Sequence, residues 1–285
     1  MKKIFLLTIV LVVFFTSCDV IDEPICPPLG VGFREDLYGP PPEFDPQATV
    51  LTNVLLEDFT GQQCGNCPPA NILARDLDTL FGERLSIVTI HAGSLAATGP
   101  DYPNDYTTPE GDFYWSQLAF QAYPEGRINR KGGPSNFFTT PAWEDEITES
   151  LAVPGVLDLQ LAAEYVAENQ HLNVHVYSRF TEAMPDAFRL VVLVIESKIV
   201  DHQLWYGHIP PEVPDYVHYH MLRGSVTGAS GEIVFTNPDA DATLVSSYSM
   251  DWNAAWIAEN CAVVAFIFNE STGAIVTCTD LELGE

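Results

Sequence analysis

The stretch that decides the fold of the first half of this 285-residue chain is EDFTGQQCGNCPPAN, residues 57–71. Cys64 and Cys67 lie between a predicted strand over residues 50–59 and a predicted helix over Pro68–Phe81. The two prolines after Cys67 suit the first turn of a helix, where a missing N–H costs nothing. A helix N-terminus also stabilises a thiolate. The pattern therefore predicts a dithiol able to exchange disulfides, with Cys64 as nucleophile and Cys67 as resolving thiol.

The segments that follow predict an α/β domain. Residues 85–91, LSIVTIH, form a near-continuous apolar run that is typical of a buried strand. A βαβ unit results, with the CxxC where its first strand meets the helix. Residues 93–111 are rich in Pro, Gly, Asp and Tyr and are expected to form a long excursion. A helix over about 112–122, a short strand over 126–130 and a helix over about 141–151 complete this domain.

After Pro154 the sequence favours short strands only. They are separated by turns such as NESTGA, which suggests an antiparallel, immunoglobulin-like β-sandwich. The expected fold is an α/β domain over residues 48–154 followed by an all-β domain over residues 155–285. The predicted strands are 157–166, 172–180, 188–200, 217–223, 232–235, 243–250, 261–268 and 274–283.

The CxxC block resembles the thioredoxin superfamily. That family has a buried acid six residues before its first cysteine, followed by an aromatic residue, and Asp58 and Phe59 occupy these positions. It also has a cis-proline beside the dithiol, for which Pro124 is the candidate. The resemblance implies that Asp58 relays a proton for Cys67 and that Pro124 shapes the substrate face. Gln63 replaces the usual tryptophan, which leaves the substrate and the direction of exchange open.

Two other interpretations of the CxxC compete with exchange. A zinc site would need two further ligands, and the chain has no second CxxC. His91 ends a buried strand and is expected to be packed rather than to bind metal. His218 and His220, with His208 nearby, are likewise expected to have structural roles. The other alternative is a permanent structural disulfide. No metal and no cofactor are predicted.

The N-terminal residues predict export and lipid attachment. Residues 1–17 have two lysines and then an apolar run that is too short to span a membrane easily, as in a secretory signal. The tetrad FTSC resembles a lipobox, so Cys18 is expected to carry the lipid anchor. Residues 18–47 hold many prolines and acids and are predicted to be an extended tether.

The charge of the chain excludes one class of partner. It has 12 Lys and Arg against 39 Asp and Glu, a formal charge of −27, and loss of the two signal lysines makes this −29. Such a surface repels nucleic acid and anionic lipid. No GxSxG, Walker or dinucleotide motif is present. Protein partners or protein thiols remain as the expected partners.

Several blocks together resemble the Omp28 family of Bacteroidetes envelope lipoproteins. They are the lipobox, VLLEDFTGQQCGNCP, YPEGRINR and DYVHYHMLRG. The resemblance implies an outer-membrane location and a thioredoxin-like domain before an immunoglobulin-like one. It also implies a role as a surface adhesin or receptor, for which Tyr102 and Tyr106 would suit partner contact. The acids after Cys18 (Asp19, Asp22 and Glu23) would then direct the protein to the cell surface.

Three cysteines remain outside the CxxC and the lipobox. If Phe268 faces Ile275 across the NESTGA turn, Cys278 faces Ala265 and Cys261 lies about 13 Å further along the strand. That distance is beyond disulfide reach. Cys261 and Cys278 are therefore expected to be buried thiols unless a bulge shifts the register, and Cys26 to be free in the tether.

Overall fold

The computed structural model describes residues 30–117, 122–133 and 136–284. The predicted signal peptide, Cys18 and Cys26 lie outside these ranges. Within them, no helix is both long and apolar enough to cross a membrane. The helices are α1 (Glu35–Tyr38), α2 (Pro68–Phe81), α3 (Pro109–Ser116) and α4 (Trp143–Leu151). The strands are β1 (Gly30–Gly32), β2 (Val54–Thr60), β3 (Leu85–His91), β4 (Glu125–Ile128), β5 (Leu157–Val166), β6 (His171–Phe180), β7 (Ala187–Glu196), β8 (Ile199–Leu204), β9 (Glu212–His218), β10 (Met221–Ser225), β11 (Glu232–Thr236), β12 (Thr243–Asp251), β13 (Cys261–Asn269) and β14 (Ile275–Glu282).

The βαβ unit around the dithiol has the predicted form. Strands β2 and β3 are parallel and every residue in both is buried. Helix α2 covers one face of this pair, packing Ala70, Ala74 and Leu77 against Val54 and Leu56. Helix α3 begins earlier than predicted, because the Thr108 hydroxyl accepts a hydrogen bond from the Gly111 N–H and Pro109 occupies the first turn. It also ends earlier than predicted, at Ser116.

The two halves of the chain share one sheet. The eight-stranded sheet has the order β14-β13-β7-β10-β3-β2-β4, with β11 also paired to β7. Strand β10 comes from the second half, yet it pairs in parallel with β3 as well as antiparallel with β7. The chain is therefore a β-rich, mixed α/β structure in which hydrogen bonds cross the predicted boundary near residue 154.

A second sheet closes the core of the second half. This four-stranded sheet has the order β1-β12-β6-β5. Side chains from both sheets form one apolar cluster, which includes Leu172, Val174, Val192 and Val263. Because residues alternate between the two faces of a strand, the inward-facing positions of β6, β7 and β13 build this core.

Two predicted strands are each split in two by a left-handed residue. Residues 188–200 form β7 and β8, with Lys198 at a φ of 62° between them. Residues 217–223 form the end of β9 and the start of β10, with His220 at a φ of 54° between them. Residues other than glycine rarely adopt such positive φ angles, and a positive φ interrupts the extended backbone of a strand. These two breaks set apart the β8–β9 hairpin, which pairs with neither large sheet.

Part of the predicted tether is folded. Strand β1 pairs antiparallel with β12, and Gly30 N–H donates to the Val226 carbonyl. Phe33 packs edge-on against His175 with ring centroids 4.5 Å apart, and Phe44 stacks on Tyr177 at 5.5 Å. An extended spacer was therefore the wrong prediction for residues 30–47. The aromatic residues between the prolines give this segment apolar area to bury on the sheet.

Candidate functional site

Cys64 and Cys67 form a disulfide at the N-terminus of α2. Their Cα atoms are 5.4 Å apart, and Cys67 is the N-cap residue of the helix. The Cys67 carbonyl accepts hydrogen bonds from Ala70 and Asn71, which fixes the turn that carries it. Pro68 and Pro69 have no N–H, so the helix dipole, rather than several free N–H donors, would favour a thiolate here.

The disulfide is covered by residues 203–211, here called the strap, which link β8 to β9. Leu204 N–H donates to the Gln62 carbonyl at 2.8 Å, and Tyr206 N–H donates to the Gly65 carbonyl at 2.9 Å. The two acceptor residues, Gln62 and Gly65, lie before and after Cys64, so the strap runs alongside the CxxC loop. Only 2% of Cys64 and 0% of Cys67 is exposed. A substrate therefore reaches either sulfur only after local opening, and the strap is a segment bonded to this loop.

Two strap side chains complete the cover. The Gln203 amide donates to the Cys64 carbonyl at 3.1 Å and to the Gly61 carbonyl at 3.3 Å. The Tyr206 ring lies directly on Gly65, where an added Cβ would come within 2.7 Å of the ring. Gly65 thus provides the space for the ring, rather than an open approach for a substrate. Nothing in the local sequence of the strap signals this role, because its partners are about 140 residues away.

The excursion after β3 holds the hairpin that carries the strap. Asn104 and Tyr106 donate to the same oxygen of Asp201, at 2.8 and 2.7 Å, and the Tyr102 hydroxyl bonds to Glu212. Burial raises the pKa of Asp201, but these hydrogen bonds outweigh it and lower that pKa to about 2. Tyr102 and Tyr106 therefore make contacts within the chain, which does not suit the partner contact expected of these aromatic residues.

Asp58 lies buried behind the dithiol. It is 0% exposed, and one carboxylate oxygen accepts a hydrogen bond from Asn71, one helical turn after Cys67, at 2.7 Å. Its other oxygen, Oδ1, has no hydrogen-bond partner. Burial raises the pKa of Asp58 to about 7. The sequence could have indicated Asn71, because it is a polar residue one turn from Cys67 on a helix that packs on β2.

Pro124 lies at the same end of the sheet. Strand β4 pairs antiparallel with β2, with Glu125 opposite Phe59. Pro124 is therefore next to Thr60, where β2 ends and the CxxC loop begins. The Tyr123–Pro124 peptide bond is cis, and the Tyr123 ring stacks on Trp115 with centroids 5.2 Å apart. The strands thus bring together the four residues singled out in the sequence, Cys64, Cys67, Asp58 and Pro124.

His91 and His218 are buried, His220 is partly buried, and His208 is exposed in the strap. The rings of His91 and His218 meet edge-on with centroids 5.6 Å apart. Burial lowers the pKa of His91, and it lowers those of His218 and His220 to about 4. His220 does not share a strand face with His218, because β9 ends at His218. No group of three or more potential metal ligands occurs among the described residues.

Cys261 and Cys278 are free and buried, as expected, although the predicted register is wrong by one residue. Phe268 pairs with Ile275, but a bulge after this pair places Cys278 opposite Phe266 instead of Ala265. The bulge inserts Val276 into β14, and the remaining pairs shift accordingly.

Native Cys261 and Cys278 should resist alkylation. Burial raises the pKa of both thiols to about 12, so at pH 8 only about one molecule in ten thousand is a thiolate at either position. After iodoacetamide treatment at pH 8, peptide mass mapping should find both unmodified in the native protein. Both should be modified when the same treatment follows unfolding in urea. Modification of either thiol in the folded protein would contradict this arrangement.

Comparisons with known proteins agree with this architecture. HBP35 of Porphyromonas gingivalis is 17% identical and superposes with a TM-score of 0.63, over 84% of this chain and 77% of that one. A protein from Agrobacterium tumefaciens is 13% identical with a TM-score of 0.51, over 84% of this chain and 97% of that one. No curated protein matches the chain. At these identities the likeness concerns the fold alone.

A family model gives a more specific result. The model described as "Outer membrane protein Omp28" matches residues 112–285, more than half of the chain. The CxxC block lies before the matched residues, so the match does not address the dithiol. It confirms the resemblance seen in the sequence and the expected location in the envelope. The chain belongs to the Omp28 family and is a protein of the bacterial outer membrane.

Proposed function

We propose that this outer-membrane protein exchanges disulfides with protein thiols of the envelope through Cys64 and Cys67. In this proposal residues 48–154 are a thioredoxin-like domain and residues 155–285 an immunoglobulin-like domain that shares its sheet. The protein is attached to the membrane by lipid at Cys18, after removal of residues 1–17. The fold of HBP35, at a TM-score of 0.63, supports the domain arrangement.

The observation that carries the proposal is Asp58. A buried carboxyl group whose pKa is about 7 both takes up and releases a proton near neutral pH. Its Oδ2 atom accepts a hydrogen bond from Asn71, one helical turn after Cys67, and its Oδ1 atom has no hydrogen-bond partner. A core that served packing alone would gain by replacing this acid with an apolar residue, because an unpaired buried carboxylate destabilises the folded state.

The proposed reaction starts from the reduced dithiol. The Cys64 thiolate attacks a substrate disulfide, forms a mixed disulfide and releases one substrate thiolate. The Cys67 thiol gives its proton to Asp58 and attacks the Cys64 sulfur. The second substrate thiolate leaves, and the Cys64–Cys67 disulfide remains. The reverse sequence oxidises a substrate dithiol, so either direction uses the same three residues, Cys64, Cys67 and Asp58.

A second candidate function rests on the strap. Both cysteines are buried, and main-chain hydrogen bonds join the strap to Gln62 and Gly65 in the same loop, so the disulfide could instead hold the CxxC loop in place permanently. The protein would then be a non-enzymatic surface adhesin or receptor. The two functions differ in how fast the strap opens. Disulfide exchange requires the strap to open, whereas a permanent structural disulfide does not.

The redox potential of the pair separates the two functions. Equilibration of the detergent-solubilised full chain with glutathione buffers should give a potential between roughly −120 and −270 mV if the pair exchanges disulfides. A Cys67→Ser variant should then retain envelope proteins as mixed disulfides at Cys64, and Cys64→Ser should retain none. A potential below roughly −300 mV with nothing trapped would exclude exchange.

The strap gives a kinetic test of the same proposal. Tyr206→Ala removes the ring from Gly65 and should speed reduction of the disulfide by dithiothreitol several-fold, because local opening needs less free energy. Ile209→Ala changes a residue of the same strap that is 95% exposed and should leave the rate unchanged. Equal rates in all three proteins would mean that the strap does not limit access.

A further inference from the structure

A cavity of about 300 Å³ lies beside β4, on the face of the sheet opposite α2. Its walls combine aromatic rings with guanidinium groups. Three of the 12 basic residues of this strongly acidic chain line it. The lining residues on which the argument depends are Phe113, Tyr114, Phe268, Arg127, Arg130 and Arg189.

These three arginines have only two acidic partners, so one positive charge is not neutralised. Arg189 is paired with Glu270 at 2.8 Å. Arg130 is paired with Glu57, its Nη2 atom lying 2.7 Å from one carboxylate oxygen, and its Nε atom contacts both oxygens at 3.1 and 3.2 Å. Arg127 approaches the same Glu57 only to 3.7 Å. Two buried guanidinium groups thus share a single buried carboxylate.

Arg127 is the group without its own partner. Its exposed fraction is 6%, its Nε atom has no hydrogen-bond partner, and none of its nitrogens donates a hydrogen bond within the described part of the chain. Burial lowers its pKa to about 10, whereas the pairing with Glu57 raises that of Arg130 despite burial. A buried cation with unused donors destabilises the fold unless something pairs with it.

We propose that this cavity binds a small organic carboxylate with an aromatic or branched aliphatic body, and that Arg127 binds the carboxylate. The single excess charge matches one carboxylate, and the guanidinium group can bind its two oxygens together. Phe113, Tyr114 and Phe268 then contact the apolar body. A volume of about 300 Å³ is at the small end of ligand pockets, which fits a single-ring acid.

Phenylacetate and phenylacetamide are matched probes for this site, because they share a shape and differ in charge. Isothermal titration calorimetry of the full chain should show phenylacetate binding at least about tenfold more tightly than the amide, as expected for a hydrogen bond between charged groups. Arg127→Met keeps the apolar stem and should weaken phenylacetate binding by about tenfold or more. Arg34→Gln changes an exposed arginine outside the cavity, and should change the affinity less than about threefold.

Two results would overturn the proposal. One is wild-type protein that binds the acid no more tightly than the amide, or binds neither. The other is a folded Arg127→Met variant, checked by far-ultraviolet circular dichroism, with the affinity of the wild type. Since the comparison of acid and amide uses wild-type protein alone, it decides the matter even if Arg127→Met does not fold.

Discussion

Replacing Asp58 with asparagine should raise the free energy of unfolding by about 4 kcal/mol at pH 8. The pKa of the native carboxyl is about 7 and its ordinary value is 3.8, and a difference of about three pKa units corresponds to about 4 kcal/mol. Asparagine resembles the protonated acid and keeps an oxygen that can accept from Asn71. Ionisation of the buried carboxyl group destabilises the folded wild type at pH 8, and the variant has no such group to ionise.

Because the pKa of Asp58 is raised in the folded state, the stability difference between wild type and Asp58→Asn depends on pH. Below pH 3.8 the carboxyl group is protonated in both the folded and the unfolded state, so wild type and variant should differ little. Between pH 3.8 and 7 the unfolded state releases its proton first, and the stability of the wild type falls as the pH rises. Above pH 7 the difference should stay constant. Urea unfolding at pH 3.5, 5.5 and 8 measures these three regimes.

Asp76→Asn is the matched control for this prediction. Asp76 is exposed on α2, so its replacement should change stability by less than about 0.5 kcal/mol at each pH. If the proposed function holds, Asp58→Asn should also slow the resolving step, because Cys67 loses its proton acceptor. An Asp58→Asn variant as stable as wild type at every pH would show that the carboxyl group titrates normally.

Replacing Glu57 with glutamine should lower the free energy of unfolding by about 3–5 kcal/mol at pH 7, because it leaves buried guanidinium groups without a counter-ion. Glu57 is 1% exposed, and its pairs with Arg130 and Arg127 lie in the interior. Arg130 also lies over the rings of Tyr114 and Phe266, so the loss would loosen the contact between α3 and β13. Chemical unfolding at pH 7 measures the change.

An exposed ion pair supplies the control. Glu149 is paired with Lys131 at 2.9 Å on the surface, and Glu149→Gln should cost less than about 1 kcal/mol. Burial would raise the pKa of Glu57, but Arg130 and Arg127 lower it below its ordinary value. The pair therefore contributes above the unfolded pKa, and the difference between wild type and Glu57→Gln should shrink as strong acid protonates Glu57. If Glu57→Gln and Glu149→Gln lowered the free energy of unfolding equally, the result would contradict a buried ion pair at Glu57.

The parts of the structure predicted correctly are those set by local pattern. Helix α2, β3 and β5 begin and end where the sequence predicts, because prolines, periodicity and turn residues mark their ends. Asp58 and Pro124 came from a resemblance at fixed positions. Strands β7 and β8 were merged in the prediction, because no sequence signal marked Lys198 as left-handed.

The parts that were missed depend on contacts between distant residues. The strap covers Cys64 through partners about 140 residues away, and no periodicity in residues 203–211 reports that contact. The charge excess at Arg127 depends on how β4, β7 and the β13–β14 turn meet around one cavity. A sequence pattern shows which residues can carry a charge, but it does not show which of them share a partner.

The position of β10 also affects how the protein is made. An exported chain crosses the membrane from its N-terminus, so β3 arrives long before Met221–Ser225, the strand that pairs with its edge. Until that strand emerges, a fully buried apolar strand has an open edge of the kind that promotes misassembly. The edge of β3 in residues 48–154 therefore stays open to misassembly until the last third of the chain has crossed.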